Sequence, residues 1–101
     1  MKLRIKVTDE DIRLGRRQDC NRCPVARAAK RLVKAGLRGK VVVAGEIYIE
    51  GFPAVEVSTL SGDLDRFIFK FDEGESVKPT EFIVDMPLEV IDEKVFQQVR
   101  F

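Results

Sequence analysis

Two hydrophobic periods follow one another within the first 36 residues, and that switch constrains the fold more than any other feature of the chain. Leu3, Ile5 and Val7 alternate with Lys2, Arg4 and Lys6, the period-two pattern of a strand with one buried and one wet face. Val25, Ala28, Ala29, Leu32 and Val33 recur instead at helical spacing between Pro24 and Gly36. Proline suits a first helical position and glycine the position just past a helix end. A strand and a helix must therefore share a core, and a chain of 101 residues has room for one core and not for two.

The remaining segments fill in the architecture. Thr8 followed by Asp9, Glu10 and Asp11 resembles a helix start, and Gly15 a stop, so a short helical segment is expected over Thr8 to Leu14. Val41, Val43, Ile47 and Ile49 share one face of a strand in which Gly45 marks a bulge. Gly51, Phe52 and Pro53 then turn that strand into an antiparallel hairpin with residues 54–60. Ser61 is placed to cap a second helix whose apolar stripe is Leu64, Phe67, Ile68 and Phe71, and Gly74 ends it. A further strand runs through Phe82, Ile83 and Val84, and Asp92 to Val99 reads as a short terminal helix. The expectation is a single small α+β domain over 1–101, with about four mostly antiparallel strands, one main helix over 24–36 and one or two shorter helices.

Charge is segregated along the chain although the formal net charge is only +1. Residues 1–40 hold 13 lysines and arginines against 4 acids, a balance of +9, whereas residues 41–101 hold 5 against 13, a balance of −8. Cross-strand pairing of Lys2, Arg4 and Lys6 with Glu46, Glu50 and Glu56 would absorb part of this. The helix differs, because at about 100° per residue Arg27, Lys30, Arg31, Lys34 and Arg38 fall within one arc. No acid lies between Pro24 and Lys40 to pair with them locally. Five like charges on one side repel one another and gain from an external anion. Arg22 belongs to the same patch, and Arg16 and Arg17 would extend it. With no interleaved aromatics to stack on bases, phosphate or acidic-surface binding is better supported than base reading.

Cys20 and Cys23 are the only cysteines and there is no histidine. Two thiols are too few for a secreted disulfide framework, which favours a reducing, cytoplasmic setting. The longest aliphatic run, Val41 to Ala44, is far too short to cross a membrane. Cys23 precedes the first-turn proline, where helix-end amides would favour a thiolate. A zinc site would need four donors, so two thiolates per chain would have to be completed by carboxylates or by a second copy. Alternatively the two thiols simply pack the start of the helix as small hydrophobes.

The pairing of Cys20-Asn21-Arg22-Cys23 at a helix start with Gly51-Phe52-Pro53-Ala54-Val55 resembles the thioredoxin group, which would imply dithiol redox chemistry. A short helical segment before Cys20, and the three-residue link after Glu50, depart from that pattern, since a parallel crossover needs a longer connection. Asp11, Ile12, Gly15, Asp19, Cys20, Cys23, Pro24, Val25, Ala26 and Ala28 together resemble a pattern of small proteins in tailed bacteriophages and some actinobacteria, D-I-x-x-G-x-x-x-D-C-x-x-C-P-x-A-x-A. The likeness continues through Phe67, Ile68, Phe71, Asp72, Gly74, Pro79 and Phe82, with residues 88–101 as an addition. It implies a small phage-type accessory protein that inhibits or sequesters a host component, in the host cytoplasm.

No general-base histidine, G-x-S-x-G, phosphate loop or dinucleotide glycine pattern occurs. The expected function is that of a non-enzymatic binding protein without a cofactor. Its basic helix, through Arg22, Arg27, Lys30, Arg31, Lys34 and Arg38, would hold an anionic partner: nucleic acid, nucleotide or an acidic protein surface. The alternative is a protein built on Cys20 and Cys23, either a zinc-bridged homodimer or a dithiol oxidoreductase.

Overall fold

A computed structural model describes residues 1–57 and 64–95, and in it the amino-terminal strand runs Lys2–Val7 (β1). Leu3, Ile5 and Val7 are buried while Lys2, Arg4 and Lys6 face outward. The helix Asp9–Leu14 (α1) starts at Thr8, whose Oγ1 accepts from the Asp11 amide while Asp11 Oδ2 accepts from the Thr8 amide, a reciprocal capping box. At its end Gly15 donates its amide to the Asp11 carbonyl at 2.8 Å. A Cβ on Gly15 would lie 2.7 Å from that carbonyl oxygen and 2.8 Å from Pro24 Cδ, so only glycine lets the chain pass this close to the next helix.

That helix, Pro24–Lys30 (α2), is shorter than the expected span of 24–36. The apolar spacing does persist through Leu32 and Val33, both buried. They are buried by different means, however. Arg31 and Leu32 tighten the last turn with bonds to the carbonyls three residues back, and Val33 then makes an antiparallel bridge with Ile91. The Lys34 amide donates to the Val90 carbonyl and the Asp92 amide to the Leu32 carbonyl. A strand-like exchange with the carboxy-terminal segment thus competes successfully with further helix, and a β-branched residue at the crossover suits it. A 3-10 helix, Ala35–Lys40, follows.

The long strand expected over 41–49 is itself a hairpin. Val41–Val43 (β2) pairs with Ile47–Ile49 (β3), and Gly45, at φ +74°, sits in the turn and makes no bulge. Because Val43 and Ile47 are four positions apart, an even number, the same four apolar side chains share a face in either arrangement. The hairpin expected with residues 54–60 is correspondingly reduced to one bridge, Ile47 with Val55. Beyond it Glu56–Val57 (β4) joins the other sheet, while residues 58–60 lie outside the described residues.

The second helix is Leu64–Asp72 (α3), its proposed cap Ser61 again outside the described residues. The expected strand through Phe82–Val84 extends over Thr80–Asp85 (β5) and pairs antiparallel with both β1 and β4. Five strands are therefore described, in a sheet ordered β1-β5-β4 and the β2-β3 hairpin, an α+β arrangement. On β5, Lys2 stands opposite Asp85 and Lys6 opposite Glu81, and Glu56 of β4 stands across Asp85 from Lys2. Of the expected terminal helix, the short 3-10 turn Glu93–Val95 is described and residues 96–99 are not. Val90 and Ile91, in the segment expected as an addition, are fully buried members of the core.

Candidate anion-binding cleft

The basic residues of α2 do not stand unpaired, and the reason is an acid supplied by α1. Asp11, held at the third position of its helix by the capping box, is completely buried. Arg31 grips it with both terminal nitrogens, Nη1 to Oδ1 at 2.6 Å and Nη2 to Oδ2 at 2.7 Å. The same Nη2 also donates to the Lys6 carbonyl at 2.9 Å, tying α2 to the β1 end. Burial by itself pushes the Asp11 carboxyl up, but hydrogen bonds from Arg31 and from the Thr8 amide outweigh it and hold the group below its ordinary 3.8. The fork-to-fork geometry likewise favours the charged guanidinium of Arg31.

Arg27 is the second, looser partner. Its Nε lies 3.5 Å from Asp11 Oδ1 and one terminal nitrogen 3.9 Å from Glu10. Among the described residues the buried Nε has no hydrogen-bond acceptor in good geometry. Lys30 is anchored by neutral groups only, donating from Nζ to the Asn21 carbonyl at 2.6 Å and to its Oδ1 at 3.2 Å. Its charge is therefore fixed in place without being cancelled.

These side chains border an open depression of about 640 Å³ between α1, the 15–22 loop and α2. Arg16, Arg22, Arg27, Lys30 and Arg31 line it. Among the described residues Glu10 is the one acid on its wall and Leu14, about half exposed, the one apolar residue. Arg16 and Arg22 are brought to the same rim because the loop closes on itself, the Arg16 amide donating to the Arg22 carbonyl at 2.8 Å. Both are exposed, and no ion pair among the described residues involves either.

Four of the six residues expected to bind the anion, Arg22, Arg27, Lys30 and Arg31, thus surround one cleft. The other two do not reach it, because the helix stops early: Lys34 precedes the 3-10 helix, and Arg38 within it faces Asp92 at 3.5 Å. Arg16, expected only to extend the patch, is a full member. Arg17 lies elsewhere, its guanidinium against Gly74. Asp11 was legible as a helix-start residue and not as the acid that organises two arginines. The signal was present in the Thr8-x-x-Asp11 spacing, which fixes the carboxylate at the helix start, but nothing local says which cations will meet it.

Cys23 occupies the cap of α2, where its Sγ accepts from the Ala26 amide at 3.4 Å. The thiolate expected there is disfavoured: burial pushes the thiol above its ordinary value and outweighs the helix-start amides. Cys20 is exposed, and its carbonyl accepts from the Val43 amide. Among the described residues no three cysteine or acidic side chains converge into a group that could hold a metal ion. No described helix is long and apolar enough to cross a membrane. Comparison with family models, curated proteins and solved structures finds no match for the chain.

Proposed function

We propose that the chain is a non-enzymatic binding protein whose α1–α2 cleft takes a phosphate-bearing ligand. The observation that carries this reading is the convergence of five cationic side chains on one depression whose walls, among the described residues, hold a single acid. Asp11 offsets one charge and organises the floor, while Arg16 and Arg22 at the rim keep their capacity for an incoming anion. Arginine forks suit phosphate oxygens, and a floor already fixed by Asp11 and Asn21 loses little side-chain freedom on binding. The cysteines serve as structural thiols in this reading, Cys23 as a buried cap.

Fluorescence anisotropy with a labelled phosphorylated probe tests it. The Arg16→Glu/Arg22→Glu protein should lose at least tenfold in affinity, equivalent to ~1.4 kcal/mol. Its stability should change by only about 0.5 kcal/mol per site, as is usual for exposed positions. Affinity equal to that of the unaltered protein would remove the cleft from consideration.

A further inference from the structure

The geometry points to a second, chemically different site: a groove between α3 and the 76–80 segment that binds a small amphipathic anion, an apolar body carrying one carboxylate, sulfonate or phosphate. Residues 41–101 contain only five cations against 13 acids, yet three of the five, Arg66, Lys70 and Lys78, border this one groove of about 460 Å³. At ~100° per residue Arg66 and Lys70 lie within roughly 40° of each other on α3, whereas Asp65 and Asp72 fall more than about 100° away. Asp72 is in fact turned toward the other side of the molecule, its Oδ1 accepting from the Gln18 amide at 2.8 Å. The helix therefore sorts its charges, Asp72 toward the 15–22 loop, Asp65 toward Gly45 and the cations toward the groove.

The floor is apolar and firm. Phe82, fully buried in β5, meets Phe67 edge to face with ring centroids 6.0 Å apart. Val77, Pro79 and the hydroxyl residues Ser76 and Thr80 complete the lining. Such a volume, with an apolar floor beside charged and hydroxyl groups, suits a small organic ligand that has both characters. An inorganic ion would leave the phenylalanine floor unused, and a neutral apolar molecule would bring no counter-charge to Lys70 and Lys78 at the rim. An amphipathic anion satisfies both. This site shares no lining residue with the α1–α2 cleft, so the two proposals stand or fall separately.

The test uses 8-anilinonaphthalene-1-sulfonate as probe, followed by fluorescence and by backbone amide shifts of the whole chain. Saturable one-to-one binding is expected, with shifts concentrated in 64–72 and 76–82 and no displacement by inorganic phosphate. Lys70→Glu/Lys78→Glu should weaken it about tenfold, and the uncharged analogue 1-naphthol should bind about tenfold more weakly, a difference of ~1.4 kcal/mol in each case. If the double variant melts early, Lys78→Gln, in a segment without helix or strand, should still cost about threefold, ~0.7 kcal/mol on the same scale. Unchanged affinity in a folded variant, equal binding of 1-naphthol, or shifts confined to the α1–α2 cleft would each overturn the assignment.

Discussion

Replacing Arg31 by Met should do more than remove a charge, because it changes the pH dependence of stability. In the fold the Asp11 carboxyl is fully buried and held below 3.8 chiefly by Arg31, against a burial effect that alone would raise it. Its contribution to stability is therefore complete above 3.8 and drains away as pH falls through the lower folded value. Without Arg31, burial is opposed only by the Thr8 bonds and the looser Arg27, so the folded carboxyl titrates higher than in the wild type. The stability that the ionised carboxyl contributes above 3.8 shrinks accordingly, so the loss in the variant grows as pH rises. Removing one partner of a fully buried pair costs ~3–5 kcal/mol. Here Arg31 is about half exposed and Arg27 Nε remains 3.5 Å from Asp11, which reduces the expected loss to about 2–3 kcal/mol at neutral pH. Urea unfolding followed by circular dichroism at pH 7, 5 and 3.5 measures it. The gap between wild type and Arg31→Met should be widest at pH 7 and narrow toward pH 3.5. Asp11→Asn in the same background, which keeps an oxygen for the Thr8 amide, should restore most of the loss. A gap independent of pH, or no rescue by Asn, would refute the reasoning.

Gly15→Ala should destabilise by about 1–3 kcal/mol as an overpacked contact, since its Cβ would enter the space of the Asp11 carbonyl and Pro24; thermal melting checks it, and a neutral result would mean that α1 and α2 separate easily. Cys23→Ala should cost about 1–2 kcal/mol through the lost cap and volume. Cys23→Ser should cost less, because a serine oxygen can accept the same Ala26 amide, and equal losses for the two in urea titrations would show that the cap bond contributes nothing. Iodoacetamide at pH 8, read by mass spectrometry, should modify exposed Cys20 well before buried Cys23, and the reverse order would contradict the raised Cys23 thiol.

Periodicity in the sequence identified β1, α1, α3 and β5 because each of these elements is stabilised by its own neighbours: an alternating face, a capping box, an apolar stripe. It misjudged the end of α2 and the identity of the 41–49 segment for two distinct physical reasons. Val33 fits a helix stripe and a strand bridge equally well, and the choice belongs to Ile91, some sixty residues away in the chain. A hairpin whose arms keep the same parity buries the same residues as one long strand, so face patterning is silent about Gly45. The candidate cleft divides in the same way. The like-charged stripe on α2 was visible, whereas its pairing with Asp11 depends on how α1 packs against α2, and the recruitment of Arg16 and Arg22 depends on the loop closing between them. For that reason substituting Arg27, Arg31 and Lys34 together is a poor test of binding: it would strip Asp11 of its partners and perturb the fold, while Lys34 does not face the cleft at all.

The claim that the α1–α2 cleft receives phosphate is tested most directly by titrating the protein with inorganic phosphate at low ionic strength and following backbone amide shifts. Saturable shifts confined to residues 10–31, weakened by added salt as expected for a screened charge interaction and abolished in Arg16→Glu/Arg22→Glu, are the predicted result. Shifts that never saturate, that spread evenly over all exposed lysines and arginines, or that persist in the double variant would contradict it.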